Sequence, residues 1–174
     1  SLGNIMTNDN RQIAVEIIEH SPSLAIRISG GDEKGQALFI TQNICQYGYE
    51  PDDFLGGKLS WFDVIHPDDV GWLLERLEHY EKTRTDVFVN EYRVRRADGS
   101  SVWVQDTSTV VRDTNGLPMY ADCVISDYSL TKKSIERIED NYRQQGVLNE
   151  ILRSLHGSDS DKALHIIFDR TGVY

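Results

Sequence analysis

His66, Asp68 and Asp69 are the first side chains in the sequence that could do chemistry, because they lie within one short stretch of the chain. Imidazole and carboxylate groups are ligands for zinc or iron, so the cluster is a candidate metal site. Pro67 supports a second interpretation, since proline favours the first position of a helix. The two carboxylates would then stabilise the positive end of the helix dipole without an ion. We favour the helix start and predict no metal ligands here.

The two cysteines, Cys45 and Cys123, are candidate nucleophiles. Their spacing is not that of a zinc site or a redox pair, and we predict free thiols that pack as small hydrophobic groups. An enzyme would need a base beside the thiol, such as His66 beside Cys45, and the pattern does not place one there. The sequence also has no Gly-x-Ser-x-Gly, phosphate-loop or HExxH motif. We therefore predict no catalytic residues.

Asn90, Asp106 and Ser108 form a third group, within segments where polar and apolar residues alternate as in a half-buried strand. Polar groups on the core-facing side of a sheet are costly unless they are hydrogen-bonded. They could bind a small molecule in a pocket, or water and backbone groups could satisfy them. A register shift of one residue would instead turn them outward. The sequence leaves these interpretations open. The candidate pocket walls are Phe39, Trp61, Phe62, Ile65, Leu73, Tyr92, Val104 and Cys123.

Turn and helix signals define the elements that would position these residues. The predicted elements are an amphipathic helix from Thr7 or Asn8 to His20, strands at 24–28 and 37–41, short helical turns over 44–54, a long helix from Pro67, and strands at about 86–97, 101–112 and 119–128. Glycines between residues 30 and 35 predict a hairpin. Asp98-Gly99 and Asn115-Gly116 suit tight turns, so the last three strands should be antiparallel.

The length of the first of these turns decides which side chains share a face. A two-residue loop would pair Trp103 with Tyr92, whereas a three-residue loop pairs Val104 with it. We prefer the three-residue loop because it collects the apolar residues on one side. The predicted inner face then consists of Phe88, Asn90, Tyr92, Val94, Val102, Val104, Asp106, Ser108 and Val110.

Charge and hydropathy exclude several functions. The 174 residues include 28 acidic and 18 basic residues, for a net charge of −10. Nucleic acid or an anionic membrane would call for clustered basic residues, so we expect neither as a partner. The longest apolar stretches are far below the roughly 20 residues that span a bilayer. We expect a cytoplasmic protein.

After Leu130 the composition becomes charged and helical. Ile135, Ile138 and Tyr142 fit a coiled-coil seam, which Gly146 interrupts, and we predict a dimerising connector helix over 131–157. The Gly157-Ser158-Asp159-Ser160 segment is expected to break the helix. A new amphipathic helix should then begin.

The ordered motifs of the central region resemble a PAS sensory domain. They are Gly48-Tyr49, His66-Pro67-Asp68-Asp69, the run from Glu91 to Gly99 that leads into Trp103-Val104, and Asp127-Tyr128-Ser129. The His-Pro-Asp-Asp sequence is that of one PAS subfamily. The resemblance covers residues 22–130, and residues 158–174 look like the truncated start of a GAF domain. Residues 1–21 would be an expression-tag remnant and a flanking helix.

The resemblance implies an α+β fold: a five-stranded antiparallel sheet with helices on one face, a cavity between them, and amphipathic helices at both ends. It implies that Asp127, Tyr128 and Ser129 couple the last strand to the exit helix. Two departures are the asparagine after the second strand, which comes late as Asn43, and the Asp-Tyr-Ser sequence where the family has Asp-Ile-Thr.

The resemblance also raises haem and flavin as cofactors. Some PAS domains bind haem through a histidine on the long helix, but His79 lies opposite the leucine stripe and should face solvent. Photosensory relatives form a flavin adduct on a cysteine, and the corresponding stretch from Leu59 to Ile65 has none. We disfavour both cofactors and leave the ligand unknown.

The predicted function is sensory input for a multidomain signalling protein, a histidine kinase or a diguanylate cyclase, with a small organic ligand in the cavity. We expect a homodimer. Exposed apolar surface often marks an interface, and the candidate interface residues are Glu91, Arg93, Trp103, Ile135, Ile138 and Tyr142. The alternative is a ligand-free module for docking and dimerisation.

Overall fold

Alternating apolar residues separated by glycine-containing turns form the strands of this chain. A computed structural model describes residues 2–30 and 35–171. The described elements are α1 (Leu2–Glu19), β1 (Leu24–Ser29), β2 (Ala37–Ile40), a 3₁₀ helix (Gln42–Tyr47), α2 (Pro51–Leu55), α3 (Trp61–Val64), α4 (Pro67–Thr83), β3 (Val87–Arg95), β4 (Ser101–Arg112), β5 (Pro118–Asp127) and α5 (Ser129–Thr171). The strands and α4 match their predicted positions closely.

The described strands form one antiparallel sheet in the order β2-β1-β5-β4-β3. Tyr92 lies opposite Val104, which confirms the predicted register of β3 and β4. The Arg96 amide donates to the Ser100 carbonyl at 2.7 Å and closes a three-residue loop. Gly99 in that loop has φ of 85°, a conformation that favours glycine over residues with a side chain.

The hydrophobic core lies between one face of this sheet and helices α2, α3 and α4. Burying apolar surface between the two layers is the main force that holds them together. The fold is therefore α+β with the helices on one face, as predicted. The buried core residues include Leu24, Ile26, Ile44, Phe54, Trp61, Val64, Leu73, Val94, Val102, Val104 and Ile125.

Two predicted helix boundaries were wrong. Helix α1 begins at Leu2, not at Thr7 or Asn8. Helix α5 continues through Gly146 and through residues 157–160, where a break was expected. Each glycine in a helix interior costs only about 1 kcal/mol relative to alanine, and the sequence has no proline after Pro118 to block the helix.

The chain divides into two compact units, Ser1–Leu130 and Thr131–Tyr174. Three predicted segments lie partly or wholly outside the described residues: the turn at 31–34, Ser1 of the predicted tag remnant, and the last three residues of the predicted GAF start. Over the described part of the chain, no helix is both long enough and apolar enough to cross a bilayer.

Candidate functional site: a cavity on the inner face of the sheet

A cavity of 620 Å³ lies against the inner face of the sheet and is walled by α3 and α4. A volume of this order accommodates a small organic molecule. The alternation along β3 and β4 that predicted the inner face turns their polar residues toward this space. The predicted residues that line it are Trp61, Phe62, Ile65, Leu73, Asn90, Tyr92, Asp106, Ser108 and Cys123.

Phe39 does not line the cavity, so that prediction was wrong. The side chain is 41% exposed and lies opposite Arg27 on β1. The pairing of β1 with β2 shifts between Arg27 and Ile28, which marks a bulge or irregularity. As a result Ala37 and Ile40 are buried while the two residues between them are exposed.

Val104 is also absent from the lining, although it is fully buried. It packs in the solid part of the core and pairs with Tyr92 on β3 and with Asp127 on β5. The cavity follows the later part of β4, from Asp106 to Arg112. Val104 precedes that part of β4 and therefore does not line the cavity. Its inward orientation was predicted correctly, but its predicted place in the cavity wall was wrong.

A chain of hydrogen bonds crosses the cavity wall. The Trp61 indole Nε1 donates to the Tyr92 hydroxyl at 2.9 Å, and that hydroxyl donates to Asp106 Oδ2 at 2.8 Å. The Ser108 hydroxyl donates to Asp106 Oδ1 at 2.9 Å, and its oxygen lies 3.3 Å from Cys123 Sγ. These bonds explain how polar groups are accommodated on a core-facing strand.

Asp106 is the buried carboxyl group of this network, with 7% of its surface exposed. Burial raises the pKa of Asp106 because the charged form loses hydration, and the hydrogen bonds from Tyr92 and Ser108 act in the opposite direction. None of the ion pairs among the described residues involves Asp106. Burial likewise raises the pKa of Cys123, which keeps it a thiol at neutral pH.

Asn90 lies directly opposite Asp106 on the neighbouring strand and is 2% exposed. Its Oδ1 accepts a long hydrogen bond of 3.4 Å from the Tyr80 hydroxyl. The Tyr80 ring stacks on Phe88 with 4.3 Å between the ring centroids. Within the described part of the chain, the Asn90 amide nitrogen Nδ2 makes no hydrogen bond. The cavity wall therefore presents a carboxylate acceptor and an amide donor side by side.

The outer part of the cavity was not predicted from the sequence. Arg112 lines it and bridges Asp86, at 2.7 Å from Nε, and Glu81 of α4, at 2.8 Å from Nη2. Charged side chains are ordinarily solvated, so the local sequence pattern did not predict that Arg112 and Glu81 line a cavity. The remaining unpredicted lining includes Ile28, Ser29, Leu74, Leu77, Glu78, Tyr80, Phe88, Val110 and Tyr120. Among these, Phe88 and Val110 belong to the predicted inner face of the sheet.

The His-Pro-Asp-Asp motif begins helix α4, as we favoured. Pro67 is the first helical residue, and Nδ1 of His66 accepts a hydrogen bond from the Asp68 amide at 3.3 Å. Asp69 is held by Arg93 of β3, whose Nη2 lies 2.7 Å from Asp69 Oδ1. The Asp69 carboxylate thus has a structural role.

This helix start is joined to the edge of β3. Ile65 forms a bridge with Val94, and the His66 amide donates to the Arg93 carbonyl at 2.8 Å. These contacts connect the loop before α4 to the sheet.

The remaining candidate side chains divide by exposure. His79 is exposed on α4, as predicted. Cys123 is buried, as predicted, but Cys45 is exposed, so its expected place in the core was wrong. Cys45 lies in the 3₁₀ helix, where Gln42 Nε2 contacts its sulfur at 3.2 Å.

The predicted interface residues of the sheet lie on its outer face. The Arg93 guanidinium lies 5.6 Å from the centre of the Trp103 ring. Arg93 therefore has both an intramolecular ion-pair partner and an aromatic neighbour, and Trp103 is half-buried. In α5, Ile135 is 38%, Ile138 54% and Tyr142 72% exposed.

The predicted coupling residues join β5 to α5. Asp127 Oδ1 accepts a hydrogen bond of 2.8 Å from the amide of Ser129, the first residue of the helix. The Tyr128 amide donates to the Trp103 carbonyl at 2.8 Å. Burial and the neighbouring Glu91 carboxylate raise the pKa of Tyr128. The strand end is thus tied to both β4 and the helix start.

The sequence and the fold are similar to those of known sensor proteins. The family described as PAS fold matches residues 37–125. A methyl sulfide methyltransferase-associated sensor from Methanosarcina acetivorans is 29% identical over 100 residues, which are 58% of this chain and 10% of that protein. The probable diguanylate cyclase DgcE from Escherichia coli is 26% identical over 102 residues, which are 58% of this chain and 9% of that protein.

A solved structure extends the likeness to the fold. The sensory box histidine kinase/response regulator from Burkholderia thailandensis superposes with a TM-score of 0.58 at 23% identity, over 76% of this chain and 95% of that chain. The chain spans about a tenth of the length of the two curated relatives above.

Proposed function

The chain belongs to the PAS fold family, and from that premise we propose that it is the sensory input domain of a multidomain signalling protein, in which a small molecule bound in the cavity acts on helix α5. The relatives support a histidine kinase or a diguanylate cyclase as the whole protein. The proposal includes a cytoplasmic homodimer and a connector leading toward a GAF domain.

The observation that carries the proposal is the pair formed by Asp106 and Asn90 in a 620 Å³ cavity. A buried carboxylate without a counter-charge is costly to folding, and the Asn90 amide is placed to donate to a molecule in the cavity. A ligand that supplies the missing partners would offset this cost. Such a pair is expected in a binding site and is hard to explain as core packing.

The strand pairing offers a route from the cavity to the exit helix. Asp106 lies opposite Ile125 on β5, and Asp127, two residues further along, contacts the first turn of α5 through Ser129. A ligand that binds Asp106 more tightly in one arrangement of β4 and β5 would shift the population toward that arrangement. The start of α5 would move with β5, because Asp127 pairs with Val104 of β4 and also accepts the hydrogen bond from Ser129.

Native mass spectrometry tests the ligand proposal. We expect the purified chain to retain a bound small molecule. Ala121→Phe should displace it, because Ala121 lines the cavity and a phenyl ring would fill it. Val124→Phe is the matched control on the outer face, where Val124 is 48% exposed. Equal occupancy in both variants would show that the mass is bound elsewhere and would remove the support for a cavity ligand.

A docking and dimerisation module is the second candidate, and the surface of α5 favours it. Ile138, Tyr142, Leu148 and Ile151 are each at least half exposed. Exposed apolar residues on one helix often mark an interface with another chain. Sedimentation equilibrium should give a dimer that Ile138→Glu dissociates. A monomer at all concentrations would contradict this candidate.

A further inference from the structure

The charged groups that line the cavity are mostly negative. Glu78, Glu81 and Asp106 contribute carboxylates, and Arg112 contributes a guanidinium. Arg112 is already committed to Glu81 and to Asp86, and Glu78 is 2.7 Å from Lys82. Asp106 is therefore the lining charge that has no partner of opposite sign among the described residues.

The geometry around Asp106 leaves its carboxylate able to accept more bonds. Oδ2 receives the Tyr92 hydroxyl and Oδ1 receives the Ser108 hydroxyl. A carboxylate has about four lone-pair positions, so both oxygens can accept a further donor. Because Asp106 lines the cavity, that donor can come from a molecule inside it.

The rest of the wall suits the body of an organic cation. The aromatic side chains that line the cavity are Trp61, Phe62, Tyr80, Phe88, Tyr92 and Tyr120. Aromatic faces attract cations, and they also supply apolar contact area for a hydrocarbon framework. The leucines of α4 add further apolar surface.

We propose that the cavity binds a small organic amine in its ammonium form, with the charged nitrogen on Asp106 and an acceptor atom of the same molecule on the Asn90 amide. This inference rests on the proposed function, because it names the ligand class for the same cavity. A carboxylate ligand would be repelled by Asp106. A neutral ligand would leave the charge of Asp106 uncompensated.

The test uses isothermal titration of this chain with matched probes at pH 7.5. The probes are amines of increasing size, from methylamine through 2-phenylethylamine to tryptamine, each beside the alcohol and the carboxylate of the same framework. We expect the best-fitting amine to bind at least tenfold more tightly than its alcohol. Asp106→Asn should weaken amine binding about tenfold to hundredfold, the range for loss of a charged hydrogen bond. Alcohol binding should change by less than about threefold, because it does not use the charge.

Glu75→Gln is the control, because it removes an exposed carboxylate from α4, the helix that walls the cavity, without changing the cavity lining. If alcohols or carboxylates bind as tightly as amines, the ligand class is wrong and the proposed function stands. If no probe of any charge binds, both fail and the docking module remains. Should Asp106→Asn not fold, the ranking of amine, alcohol and carboxylate on the unaltered chain still decides between these outcomes.

Discussion

Asp69 and Arg93 are joined by three hydrogen bonds that fix the start of α4 against β3. The Arg93 backbone amide donates to Asp69 Oδ2 at 2.8 Å, Nε donates to the same oxygen at 2.9 Å, and Nη2 donates to Oδ1 at 2.7 Å. The start of α4 and strand β3 are thus held together by one side chain on each element.

Replacing Asp69 with asparagine should lower the free energy of unfolding by about 2 kcal/mol, because the charged hydrogen bonds to Arg93 are weakened. Urea unfolding at pH 7 measures this loss. Asp68→Asn is the matched control, since the Asp68 side chain is 73% exposed and should change stability by less than about 0.5 kcal/mol. Equal losses of unfolding free energy in the two variants would show that the Asp69 hydrogen bonds stabilise the fold no more than the exposed Asp68 side chain does.

The same pair predicts an acid dependence of stability. Burial acts to raise the pKa of Asp69, but the hydrogen bonds from Arg93 and Trp72 outweigh it and hold that pKa below its ordinary value. The stabilisation is therefore present above the unfolded pKa of about 3.9 and is lost as the pH falls through the folded value. Asp69→Asn should flatten this acid limb of the stability curve. If the acid limb of the stability curve is unchanged in this variant, Asp69 is not the group that causes it.

The buried Asp106 carboxyl group predicts the opposite dependence of stability on pH. Its pKa is raised by burial, so its contribution is most favourable at low pH and is lost as the pH rises through the folded pKa. Without ligand, Asp106→Asn should be more stable than the unaltered chain at pH 7.5, by about 1 kcal/mol. The difference should shrink near pH 4. Thermal unfolding across this pH range measures both, and a variant that is less stable at pH 7.5 would argue against a buried, uncompensated charge.

Two buried tyrosines should respond differently to loss of their hydroxyl groups. Tyr47 is 2% exposed, and its hydroxyl has no hydrogen-bond partner among the described residues. Tyr47→Phe should therefore stabilise the domain or leave it unchanged. Tyr92→Phe should cost about 1–3 kcal/mol, because it leaves Trp61 Nε1 without its acceptor and Asp106 Oδ2 without its donor. Urea unfolding of both variants provides the comparison, and a large loss for Tyr47→Phe would indicate a partner for that hydroxyl.

Asp127→Ala tests the coupling of β5 to α5. Removing the carboxylate leaves the Ser129 amide without its acceptor, at a cost of about 1 kcal/mol to the first turn. Hydrogen exchange should accelerate at the start of α5 and stay unchanged in β4. In the full-length protein, the variant should fold but lose signal-dependent output. Unchanged output would show that Asp127 does not carry the signal.

The register of β3 and β4 could be predicted because it depends on local information. Asp98 and Gly99 fix the turn, and alternation then assigns Asn90 and Asp106 to the inner face. The hydrogen bonds of these side chains could not be predicted, because Trp61 reaches Tyr92 from a separate helix. Periodicity predicted the positions of these side chains but not their hydrogen-bond partners.

The failures have physical causes. Phe39 faces outward because of the pairing shift beside Ile28, and such shifts have no strong sequence signal. Arg112 and Glu81 meet at the cavity edge because β4 ends beside α4, a long-range arrangement that neither segment encodes alone. In α5, the helix continues through Gly146 because an unfavourable propensity is a small penalty and not a steric block.

The attachment of α4 to β3 also closes one edge of the sheet. The amide and carbonyl of Arg93 are taken by Asp69 and the His66 amide, and the carbonyl of Arg95 accepts the Tyr49 hydroxyl at 2.9 Å. Unpaired edge groups of this kind would otherwise be a template for a strand from another molecule. This part of β3 is therefore protected against β-augmentation and edge-to-edge aggregation, and a partner that approaches here must recognise side chains and not backbone.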